Sequence, residues 1–94
     1  MLLSERLAAY VLALEQCSSS TRRAEDRSLY QRYLADAAGM LAACIIGEAL
    51  TGLQRRADSH DRLWGQGWPQ DEVYREAVDA WASFKEELQR AGAT

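Results

Sequence analysis

Between Arg22 and Arg62 the chain has no proline and no cluster of turn residues, and this absence limits the possible folds more than any other feature. Nothing there stops a helix of about 40 residues, roughly 60 Å long at 1.5 Å per residue. Most globular helices are about a third of that length. Two readings are therefore open: a single long helix that reaches beyond the core of one chain, or a helix broken near Gly47 or Gly52. The continuous helix, kinked or straight, is the favoured expectation.

The rest of the chain is helix-forming too. Alanine, leucine, glutamate, glutamine and arginine dominate, there is one proline, and valine, isoleucine and threonine number only eight in 94 residues. These dominant residues lose little rotamer freedom in a helix, whereas β-branched ones lose more. A first helix is expected from about Ser4, its cap, to Cys17. Leu3, Leu7, Tyr10, Val11 and Leu14 recur there at intervals of three and four and so share a stripe. Ser18, Ser19 and Ser20 follow as a polar break, and Ser20 or Thr21 can cap the second helix. Gly65-Gln66-Gly67-Trp68 is expected to form a sharp turn. Pro69 suits the first position of a third helix running to about Arg90, with Val73, Ala77, Val78, Trp81, Phe84 and Leu88 on its apolar face. The expected architecture is all-α: one domain over 1–94, with three main helices and a long central one that pairs into a dimeric bundle.

The dimer expectation comes from the segment Ala37–Gly47. It is apolar on every side, and a helix apolar all round must be covered all round. Helices one and three can cover two sides, which leaves the third for a second copy. Ala35, Gly39, Ala43 and Gly47 recur every four residues, a small-residue pattern that lets two backbones approach closely. With Met40 and Ile46 they make up the expected dimer interface. The alternative is that the other two helices wrap the segment completely and the glycines mark a kink. Trp64 and Trp68 flank the glycine-rich turn and are the candidate partner-binding residues, since large aromatics beside loops are enriched in hot spots. Their alternative role is to close the end of the bundle, the role expected of Trp81.

Charge and motifs remove several function classes. The net charge is −3, and the last 32 residues hold six acids against three bases. Nucleic-acid binding needs a basic face, and Glu25 and Asp26 interrupt the nearest one, Arg22, Arg23 and Arg27. Cys17 and Cys44 are too few for a disulfide framework; Cys44 reads as a small buried hydrophobe. Glu5, Arg6 and Glu15 break up any signal sequence, and the longest apolar run is too short to span a bilayer. The expected location is the cytoplasm, with no membrane contact. Asp58, His60 and Asp61 lack the spacing and number of a metal site and read as an exposed helix end. The chain carries no phosphate-binding loop, activated nucleophile or Cys/His pattern. No catalytic residue, metal or cofactor is expected.

In size, acidity, helicity and a self-associating central helix, the chain resembles small helical bacterial anti-activators, which bind and disable quorum-sensing transcription factors. The resemblance implies a non-enzymatic inhibitor whose partners are a second copy of itself and a transcriptional regulator. Secretion chaperones, immunity proteins and other helical adaptors share the profile, and a small enzyme is the competing class. An acidic third helix with Asp71, Glu72, Glu76, Asp79, Glu86 and Glu87 would favour a partner with a basic rim.

Overall fold

The long central helix is in fact two helices, because the chain reverses at Gly47. The computed structural model describes residues 2–66, 69–70 and 72–93. Helix α1 spans Leu3–Ser20, α2 Ala24–Ile45, α3 Leu50–Gln66 and α4 Arg75–Ala93, with a short 3-10 turn, Glu72–Tyr74, ahead of α4. Gly47 has φ of 86°, a left-handed conformation that glycine adopts without a Cβ clash. Its N–H donates to the Cys44 carbonyl at 3.2 Å, and the Glu48 N–H donates to the Ala43 carbonyl at 3.0 Å. That pair of bonds is a Schellman cap, which satisfies carbonyls the ending helix would leave open. Gly52, the other candidate break, lies inside α3.

The reversal lets α3 fold back on α2. In a continuous helix Leu53, Ala57, His60 and Trp64 would project past the end of α1, whose 18 residues span roughly 27 Å. Folded back, all four are buried. Helices α1 and α3 thus cover two sides of α2, with α3 in the place expected of the last helix, and an outer face of α2 stays open. The structure is a four-helix bundle in which each helix touches two neighbours, in the order α1, α2, α3, α4 and back to α1. Neighbours run antiparallel. Near its start α1 places Arg6 against Ser83 and, at 3.7 Å, Glu87 of α4; near its end the Cys17 thiol donates to the Val73 carbonyl at 3.1 Å.

The core contains the expected stripes of the outer helices. Leu7, Tyr10 and Leu14 of α1 are fully buried, as are Ala77, Trp81, Phe84 and Leu88 of α4 to within a few per cent. Four local expectations are corrected. Helix α1 continues through Ser18–Ser20, because one polar triplet does not stop a helix whose Cys17 is held by packing. No side chain caps α1, which starts from Leu2. Pro69 is buried and precedes α4 by six residues instead of opening it. It sits beside Asp26, a buried carboxylate at the start of α2 that accepts the Gln70 N–H at 3.0 and 3.2 Å. That bond pins the α3–α4 connection to the bundle. Both cysteines are free, and Cys17, not Cys44, is the buried one.

Candidate functional site

Two arrangements go beyond ordinary bundle packing: the outer face of α2 and a buried polar chain through the core. On α2, residues Ala35, Ala38, Gly39 and Ala42 face outward. A Cβ added at Gly39 would meet nothing within 4 Å. The face runs into Ile45 and Ile46, which are 69% and 83% exposed. At the same end of the bundle, Leu2, Leu3 and Cys44 line a shallow hollow rimmed by Glu87 and Arg90. Leu2 is itself 66% exposed. Large apolar side chains grouped at one end of a small protein make this face a candidate docking surface.

Only part of the expected interface lies here. Ala35, Gly39, Ile46 and Gly47 are exposed, whereas Met40 and Ala43 are buried. The reason is helical geometry. A four-residue step advances about 400°, so a stripe at that spacing rotates roughly 40° per step. Ala35 and Gly39 point outward, and by Ala43 the stripe has turned into the core. The open surface follows intervals of three and four instead, which adds Ala38, Ala42 and Ile45.

Trp64 is likewise a core residue, 7% exposed. Its ring stacks on Tyr33 at a centroid distance of 4.4 Å, so it offers no face to a partner. Trp68 lies outside the described residues. The acids expected to steer a partner are mostly in place: Glu72, Glu76, Asp79 and Glu86 are exposed. Glu87 is half-buried and pairs with Arg6 and Arg90, and Asp71 lies outside the described residues.

The second arrangement overturns the reading of Asp58, His60 and Asp61 as an exposed helix end. His60 is 0% exposed and lies in the core between four helices. Its Nδ1 is 2.7 Å from Asp36 Oδ2 on α2, and its Nε2 is hydrogen-bonded to the Tyr10 hydroxyl on α1. The Trp64 indole N–H donates to the same hydroxyl at 2.9 Å. Next to it, Asp61 accepts the Trp81 indole N–H at 2.6 Å and Lys85 Nζ at 3.1 Å. Burial holds the His60 pKa below its ordinary 6.5, against the hydrogen bond and charge of Asp36 and the charge of Asp61. Burial also raises the Tyr10 phenol well above its usual range. Asp58 is the one exposed member of the triplet.

Asp–His–Tyr is an arrangement that can move protons. Here both Tyr10 and His60 are sealed at 0% exposure, and a substrate could reach them only if the bundle opened. A sequence signal for His60 did exist. It shares a stripe with Leu53, Ala57 and Trp64, at intervals of four, three and four. Among the described residues no group of three or more His, Cys, Asp or Glu side chains is placed to hold a metal ion, and no helix is long and apolar enough to cross a membrane.

No protein-family model, curated protein or solved structure matches the chain.

Proposed function

We propose that the chain is a non-enzymatic protein-binding regulator that pairs with a second copy of itself through the outer face of α2. The observation that carries this reading is the exposure of Ile45 and Ile46 at the end of a face otherwise built from Ala35, Ala38, Gly39 and Ala42. Small residues let two such faces approach closely, and the isoleucines supply apolar area to bury at the rim of the contact. A standard interface takes about 800 Å² from each partner, a modest share of the 5751 Å² that one chain exposes.

The regulated partner on this reading is a cytoplasmic transcription factor, disabled by binding as in anti-activators. Glu72, Glu76, Asp79 and Glu86 on the α4 side would speed its encounter with a basic-rimmed surface. Light scattering on the full chain at micromolar concentration tests the pairing. The expected mass is twice the 10.5 kDa of one chain, and Ile46→Glu should return it to a single chain with helicity unchanged. A wild-type mass of 10.5 kDa would overturn the self-association.

A further inference from the structure

We propose that Asp36, His60, Tyr10 and Trp64 form an acid-sensitive latch that ties α1, α2 and α3 together while the imidazole is neutral and loosens them when it takes up a proton. The inference stands apart from the docking reading and rests on the direction in which each hydrogen bond must run.

An indole N–H can only donate. Trp64 therefore gives its hydrogen to the Tyr10 oxygen, 2.9 Å away. The Tyr10 hydroxyl hydrogen then goes to its other partner, His60 Nε2, which must present a lone pair. The ring hydrogen is consequently on Nδ1 and is donated to Asp36 Oδ2 at 2.7 Å. Each donor in the chain has an acceptor, and the bonds run one way, from Trp64 through Tyr10 and His60 to Asp36. Only the Asp36 end meets water: its side chain is 45% exposed, against 0% for His60.

A proton added at Nε2 reverses one link. The imidazolium is a donor at both nitrogens, so the Tyr10 oxygen would receive hydrogens from Trp64 and His60 together. Its own hydrogen would then have no acceptor, because those two are the hydroxyl's hydrogen bonds among the described residues. Tyr10 is fully buried, and a buried donor without an acceptor is strongly disfavoured. Relief requires Tyr10 on α1 and Trp64 on α3 to move apart, in the aromatic cluster that also holds Tyr33 and Trp81.

The groups facing the imidazole come from all four helices: Tyr10 from α1, Tyr33 and Asp36 from α2, Asp61 from α3, and Trp81 from α4, whose ring centroid is 4.6 Å away. Asp61 is occupied by Trp81 and Lys85, which leaves Asp36 as the carboxylate bound to the ring. The two carboxylates favour the cation, while burial opposes it and is the larger effect, so the folded protein binds the proton less tightly than the unfolded chain. The latch therefore contributes fully above the ordinary value of 6.5 and is lost as pH falls through the lower folded value.

The chain has one histidine, so a single imidazole signal in an NMR titration of the full protein reports this site. The ring should titrate below 6.5, and tryptophan emission should change with the same midpoint. In urea titrations the unfolding constant of the wild type should rise as pH falls from about 7.5 to 5, because the unfolded chain takes up the proton more readily than the folded one. His60→Gln should lose that dependence. A ring that titrates at or above its ordinary value with no change in tryptophan emission would overturn the latch, as would an equal pH dependence in His60→Gln. If that variant does not fold, the wild-type titration and emission decide the question by themselves.

Discussion

Replacing Gly47 with alanine separates a broken central helix from a continuous one by the sign of the effect. In the structure Gly47 sits at φ of 86° with its N–H and that of Glu48 closing the cap on α2. A Cβ there would meet no neighbouring atom, so the penalty lies in the backbone alone. An L-residue held in a left-handed conformation costs about 1–2 kcal/mol. Removing a glycine also stiffens the unfolded chain, which returns about 0.4–1 kcal/mol. The net expectation is destabilisation by roughly 1 kcal/mol, or a fall in Tm of about 4–8 °C for a domain of this size. If α2 and α3 were one helix through Gly47, alanine would instead stabilise by about 0.8–1 kcal/mol, the ordinary helical preference. Thermal unfolding followed by circular dichroism, with urea midpoints in parallel, distinguishes the two. Gly39→Ala is the internal control, since Gly39 is helical with open space over it and should gain by the same helical preference. A Gly47→Ala protein more stable than wild type would refute the reversal at this position.

The two candidate stripe positions should respond differently to leucine. Ala43→Leu forces bulk into a site 5% exposed and should destabilise by about 1–3 kcal/mol, while Gly39→Leu should leave the fold of the single chain intact and act on self-association. Equal melting losses for both in urea titrations would show that Gly39 is packed and not open. Asp26→Ala removes the buried carboxylate that accepts the Gln70 N–H and should destabilise by roughly 1–3 kcal/mol, the range for a hydrogen bond to a charged group. Hydrogen exchange at Gln70 should accelerate in the same variant, and unchanged exchange would remove Asp26 from its role at the α3–α4 connection.

Much of the fold could be read from short intervals. The stripes of α1 and α4 were visible because residues three and four apart share a helix face whatever surrounds them. The absence of proline and the dominance of helix formers likewise required helices at nearly every position. The sequence limited any break in the central segment to Gly47 or Gly52, but it favoured a continuous helix and could not choose between the two. Either glycine can sit inside a helix at a similar cost, and only Gly47 lets α3 return along α2 with Leu53, Ala57, His60 and Trp64 facing inward. The open half of the candidate surface was misjudged for a related reason: a four-residue repeat was treated as straight, although it winds from solvent at Ala35 into the core at Ala43.

His60 marks the boundary between what the sequence determined and what the tertiary structure decided. Helical intervals place it on the same stripe as Trp64, which is a local property and legible from the chain alone. Its partners are not local, for Asp36 lies 24 residues away and Tyr10 lies 50 away. They meet the imidazole only because the turn at Gly47 brings α3 back against α2 and the short connection at Thr21–Arg23 brings α2 back against α1. Composition and periodicity determined that the chain would be helical and which residues the first and last helices would bury. Which helices face one another was settled by where the chain reverses. That depended on the burial of whole stripes, a sum over contacts between distant residues that no local interval records.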